Sequence, residues 1–243
     1  MILALNTSTL QFSLALLDTD GEILAECMLS ANHKHFEGFV PAIHFLMNAS
    51  SGNAKELRAV AVSLGPGSFT GLRVGLSTAK GLCHGLDIPL IGISSTEGLA
   101  NQIPFCPLPI CPVITSRRGE VFTALFERDE QNVMKRLMED RSARFDALPS
   151  LFPEDVVFIG NDFRQQAPTL RHLFGSKTVL APPHHWYLRG ASIGHLGAIR
   201  LQKGDLDDPR NLSPAYFRPP DIRPNPHPLL RDTTHEAGAN HGR

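Results

Sequence analysis

An order of elements that occurs twice constrains the fold of this 243-residue chain more than any single residue does. Residues 2–8 form a short, nearly continuous apolar run, the pattern of a central strand buried on both faces. Residues 12–17 and 23–29 read as two further strands, joined through Asp18-Thr19-Asp20-Gly21, whose Asp and Gly residues suit a tight turn. A helix is expected over about 35–48, where Phe36, Phe39, Ile43 and Leu46 recur at 3-4-3 spacing and Val40 and Met47 widen the stripe. Pro41 lacks an amide proton and predicts a kink or a late start there. A strand at 59–63, a helix at 70–86, a strand at 90–94 and a short helix at 95–102 follow. After a stretch with four prolines (101–112) the order returns: strands at 111–116, 120–127 and 133–139, a short helix at 147–152, a strand at 156–160, a helix at 163–174 and a strand at 178–181.

Strand-strand-strand-helix-strand-helix-strand, used twice, is the arrangement of an α/β, actin-like (ASKHA) fold, a duplicated RNase H-like unit with a mixed sheet and flanking helices in each lobe and a cleft between the lobes. The expected division is 1–104 for an N-terminal lobe that carries the helices at 35–48 and 70–86 and 105–217 for a smaller C-terminal lobe. A late helix at 188–202, with Ile193, Leu196, Ile199 and Leu201 as apolar anchors, is free to pack back on the first lobe. Residues 218–243 are Pro-rich, then polar, and read as a disordered tail.

Composition narrows function. With 23 Lys+Arg against 24 Asp+Glu the formal net charge is -1, so the basic surplus of a protein that grips nucleic acid alone is missing. Cys27, Cys83, Cys106 and Cys111 form no CxxC pair and read as reduced, buried thiols. The first residues enter a strand without a basic leader, and no apolar run reaches the ~18–20 residues that span a bilayer. A cytoplasmic protein with no membrane contact is expected.

The most informative stretch is 63–85, SLGPGSFTGLRVGLSTAKGLCHG. Gly65-Pro66-Gly67-Ser68 lies between a strand and a helix, where backbone amides can hold phosphate. It is no Walker A loop, because no Gly-Lys-Ser/Thr closes it and Arg73 stands where no P-loop lysine would be. In the helix, Gly71, Gly75 and Ala79 lie four apart on one face. Each interior glycine costs roughly 1 kcal/mol against alanine, so a compensating contact is expected. Tight packing inside the lobe and packing against a partner chain are both open. The aromatic stripe on the preceding helix favours a docking surface made of Phe36, Phe39, Val40, Ile43, Leu46, Phe69, Gly71, Arg73, Gly75 and Ala79. Other candidates are weak. His33, His35 and His44 do not converge on a helix face as metal ligands, His184-His185 sits in a Pro-flanked loop, and Ser68 lacks the GxSxG elbow of a hydrolase nucleophile.

Taken whole, this stretch resembles the GRGPGSFTGLRIG signature of the TsaB (YeaZ) family. Residues 2–8 are similar to that family's opening strand. His35, Glu37 and Pro41 are similar to its His-Ser-Glu…Pro helix, with Phe36 in place of Ser. Residues 117–122 are similar to its Arg-Arg-Gly-Glu-Val-Tyr strand pair and 214–218 to its closing Pro-x-Tyr-Leu-Arg, so the likeness spans about 1–218. The resemblance implies a non-catalytic subunit that pairs with TsaD, with TsaE completing a ternary complex. That complex transfers a threonylcarbamoyl group to the adenosine 3′ of the anticodon in ANN-decoding tRNAs. A homodimer through the same helices is an option, and tRNA is met only through the complex. No intrinsic cofactor is implied; ATP/ADP and metal belong to the partner subunits. Asn6, Thr7, Ser8, Thr115 and Arg117 mark a vestigial nucleotide cleft. Asn6 stands where working actin-like ATPases carry a metal-holding carboxylate, and relatives in the family often keep Asp there and at the position of Thr115. The partner's His-x-x-x-His metal motif falls here on Ser95 and Leu99, so no metal is expected. The alternative is an autonomous weak ATPase or a peptidase of the same superfamily.

Overall fold

The structure is a computed structural model that describes residues 1–29, 37–50, 52–152 and 155–217. In chain order the elements begin with β1 (Ile2–Asn6), β2 (Phe12–Leu17), β3 (Ile23–Leu29), α1 (Phe39–Ala49), β4 (Ala59–Gly65), α2 (Phe69–Leu86), β5 (Leu90–Ser94) and α3 (Ser95–Asn101). Then come β6 (Ile110–Thr115), β7 (Glu120–Arg128), β8 (Met134–Arg144), α4 (Leu148–Leu151), β9 (Val157–Gly160), α5 (Phe163–Phe174), β10 (Val179–Leu180) and α6 (Gly190–Gln202). The first sheet runs β3-β2-β1-β4-β5 and the second β10-β9-β6-β7-β8, the same order read from opposite edges. In each, three antiparallel strands are extended by two parallel ones: β4 beside β1 and β5 beside β4, β9 beside β6 and β10 beside β9. This is a duplicated RNase H-like, actin-like α/β architecture.

Strand alternation decides how the first sheet is covered. Along β1 and its neighbours, the large residues Leu3, Leu5, Leu14, Leu16, Val60 and Val62 point to one side and pack under α1 and α2. The alternate residues facing the other side are small in part: Ala4, Ala15, Ala59 and Ala61 lie in the second core cluster with Ile2 and Leu17. There α6, although late in the chain, lies across β1, β2, β4 and β5. Gly194 and Gly197 of α6 face Leu17 and Ala61 so closely that a Cβ on either glycine would overlap them. Small residues on both partners let the helix sit low on the sheet, and that core continues into the second lobe through Ile114, Val121, Phe158 and Trp186.

Residues 205–215 also return to the first lobe. Asp207 donates its amide to the Leu90 carbonyl at 3.1 Å and accepts from the Gly92 amide at 2.8 Å, and the Ala215 amide reaches the Leu64 carbonyl at 2.8 Å. The lobes are further tied where Asp140 of β8 accepts from Ser94 (3.1 Å) and Thr96 at the start of α3 and faces Arg136 at 3.4 Å. The expected tail, 218–243, lies outside the described residues. Among the described residues no helix is long and apolar enough to cross a membrane.

Candidate functional site

Helix α1 starts at Phe39, so Pro41 falls in its first turn, where an amide proton is not needed. Its apolar stripe faces the chain's own sheet: Phe39, Ile43 and Leu46 are buried, and Phe39 meets Phe12 edge-on with ring centroids 5.3 Å apart. Helix α2 is capped by Ser68, whose hydroxyl accepts from the Gly71 amide at 3.2 Å. Gly71, Gly75, Ala79 and Cys83 are its buried face. A Cβ at Gly71 would overlap the Thr7 carbonyl, and one at Gly75 the Thr7 hydroxyl. The missing side chains therefore let α2 lie on the end of β1.

This corrects the docking surface read from the sequence. Phe39, Ile43, Leu46, Gly71, Gly75 and Ala79 are spent on closing the lobe's own core, because a five-stranded sheet needs both helices to cover it. Phe36, with His33 and His35, lies outside the described residues. What remains outward is Val40 (62% exposed), Phe69 and Arg73. The outer face has further members that periodicity did not single out. Phe45 is 65% exposed on α1. On α2, Ser77, Gly81 and Gly85 are exposed four residues apart, and among the described residues a Cβ at Gly81 or Gly85 would meet nothing within 4 Å. The same four-residue spacing was visible in the sequence; only its direction was hidden.

The interlobe cleft holds about 490 Å³. Phe69, Phe122, Tyr216 and Phe217 supply its aromatic walls, and Ser8, Thr9, Ser68, Thr115, Ser116 and Asn161 its polar ones. Ser8 and Thr115 line the cleft, whereas Asn6 and Thr7 lie behind it and Arg117 pairs with Glu120 at 2.6 Å on the surface. Asn6 is a structural hub. Its Nδ2 donates to the Leu188 carbonyl (3.0 Å) and Ser13 (3.2 Å), and its Oδ1 accepts from the Ser8 amide (3.0 Å), the Ser8 hydroxyl (2.7 Å) and Ser63 (3.1 Å). Asn161 and Gln166 make the matching network in the second lobe, with Asn161 Oδ1 accepting from the Thr115 amide at 2.9 Å.

These residues do not fit a metal-bound nucleotide. The described lining contains no Asp, Glu, Lys, Arg or His, the Asn6 amide is engaged inward, and the Ser68 amide at the start of α2 is taken by the Ser8 carbonyl at 2.7 Å. Ser68 is occupied as a cap rather than set beside a base. Ser95 and Leu99 are buried in α3, and among the described residues no three His, Cys, Asp or Glu groups gather to hold a metal. His44 is exposed beside Asn48, and His184 and His185 lie with ring centroids 4.4 Å apart. The four cysteines are free; burial pushes the Cys83 thiol up to about 11 and Cys111 up to about 12.

Two RNase H-like sheets facing a common cleft place the chain in the actin-like ASKHA class. The family model TsaD, described as tRNA N6-adenosine threonylcarbamoyltransferase, matches residues 23–163. The tRNA threonylcarbamoyladenosine biosynthesis protein TsaB of Bacillus subtilis (strain 168) is 30% identical over 220 residues, 89% of this chain and 93% of that protein. The TsaB of Escherichia coli (strain K12) is 33% identical over 134 residues, 54% of this chain and 57% of that protein. Among solved structures, YeaZ from Pseudomonas aeruginosa superposes with a TM-score of 0.71 over 88% of this chain and 99% of that one at 19% identity, a likeness of fold. The chain belongs to the TsaB family.

Proposed function

We propose that this chain is a non-catalytic subunit in tRNA threonylcarbamoyladenosine biosynthesis that docks on TsaD through the outer faces of α1 and α2. The biosynthetic assignment is supported by the names of the TsaB relatives, and the choice of partner by the match to the TsaD model. One observation carries the docking surface. Two helices that cover the same core cluster present exposed Val40 and Phe45 on α1 and exposed Ser77, Gly81 and Gly85 on α2, and among the described residues nothing covers the two glycines. Large apolar anchors on one helix and a strip of small residues on the other suit the close approach of a second helix pair.

In this reading ATP/ADP and metal reside on the partner subunits, TsaE joins the same complex, and tRNA is reached through it, in keeping with a net charge of -1. A second copy of the chain would use the same face when TsaD is absent. The absence of charged groups from the described cleft lining supports a subunit without its own nucleotide chemistry. The test is titration of the full chain into TsaD from the same organism, with size-exclusion chromatography alongside. The double variant Phe45→Ala, Gly81→Leu is expected to weaken pairing about 100-fold while far-UV circular dichroism stays unchanged. Unchanged affinity would end this assignment of the interface.

A further inference from the structure

The interlobe cleft has a composition that points away from the ligand its fold class suggests. At about 490 Å³ it is within the range of about 300–1,000 Å³ typical of small-molecule sites. A triphosphate entering it would meet no charged side chain of the described lining, so nothing there replaces the water that its charges would shed. Aromatic surface, in contrast, is plentiful and comes from both lobes. Phe69 and Tyr216 lie with centroids 5.1 Å apart at a 33° tilt on the first-lobe side, and Phe122 and Phe217 with centroids 6.5 Å apart on the second-lobe side. The first pair is held in place: the Arg73 guanidinium lies 3.9 Å from the Phe69 ring centre and its Nε donates to the Tyr216 hydroxyl at 3.0 Å. That cation is thereby engaged with the rings and is not part of the lining. Ser116 and Ser68 add hydroxyls that can pair with a ligand's polar edge.

We propose that the cleft binds an uncharged planar ring of nucleobase size, stacked on Phe69 and Phe217, and discriminates against metal-bound nucleotides. Aromatic side chains hold a flat ring by stacking, and neutral hydroxyls and amides can satisfy its edge without demanding charge. Tyr216 and Phe217 make the C-terminal segment a wall of this site, which gives a purpose to two exposed rings that the first lobe does not need for its core.

Adenosine and Mg-ATP share one ring and differ in charge, so they form a matched pair of probes. Isothermal titration of the full chain is expected to give adenosine binding at least about tenfold tighter than Mg-ATP. Phe69→Ala and Phe217→Ala remove rings that are each 38% exposed, so neither opens a core. Each is expected to weaken adenosine about tenfold. Thr115→Lys, which places a cation in the lining, is expected to shift the preference toward ATP. Three results would overturn the proposal: Mg-ATP binding as tightly as adenosine, no adenosine binding at millimolar concentration, or adenosine binding untouched by both ring deletions. The docking test is read at Phe45 and Gly81, so these outcomes and that one are distinguishable.

Discussion

Two stripes of small residues run along α2, four residues apart in each case, and they do opposite things. Gly71, Gly75, Ala79 and Cys83 face the sheet, where Thr7 occupies the space that side chains would need. Ser77, Gly81 and Gly85 face outward, and no described residue lies over either glycine. The comparison teaches that a small-residue stripe marks a close approach without saying whose. Inside the lobe the close approach is already made, to the end of β1. On the outer side, among the described residues, it is still available.

Substitution at matched positions breaks or sharpens that contrast. Gly75→Leu on the inner stripe forces a branched side chain into Thr7 and is expected to destabilise the isolated chain by about 2–3 kcal/mol, read as a lower urea midpoint. An unchanged midpoint would mean that α2 does not rest on β1 as described. Gly81→Ala on the outer stripe meets no atom and replaces a poor helix former with the best one. It is expected to stabilise the chain by up to about 1 kcal/mol and raise the thermal midpoint by a few degrees. A loss of stability there would show that Gly81 is covered.

Much of this architecture was legible in the sequence, because buried strands write themselves as apolar runs and turns as Asp and Gly. The boundaries of α2, β2, β3 and β5 follow directly from that pattern. β8 runs to Arg144, beyond the expected 139, because its last residues, polar in sequence, are held by backbone pairing such as Glu120 with Arg144 and Phe122 with Ser142. The site was less legible. Periodicity locates an apolar face on a helix but not the surface that covers it, so Phe39, Ile43 and Leu46 looked as available as Val40. Asn6 read as a lost metal ligand, whereas its partners Ser13, Ser63 and the Leu188 carbonyl come from three separate segments. Tyr216 and Phe217 lie more than 90 residues along the chain from Phe69 and Phe122, so no local pattern joins them into one cleft.

The smallest expected effect is chemical and leaves stability at neutral pH untouched. Cys83 continues the inner stripe, and burial raises its thiol from an ordinary 9.0 to about 11. At pH 8 only about one molecule in a thousand would then carry the reactive thiolate. A cysteine introduced by Gly81→Cys on the outer face has no such burial and is expected to react with a thiol reagent much faster, while Cys83 waits for the helix to open. The sign of the linked pH effect follows from the same burial. A thiol whose folded pKa lies above its unfolded one contributes stability that is present below pH 9 and is lost as pH rises toward about 11, because the unfolded chain ionises first. Labelling followed by peptide mass spectrometry compares the two positions within one protein. Equal rates would place both faces of α2 in solvent and remove the distinction between the stripes.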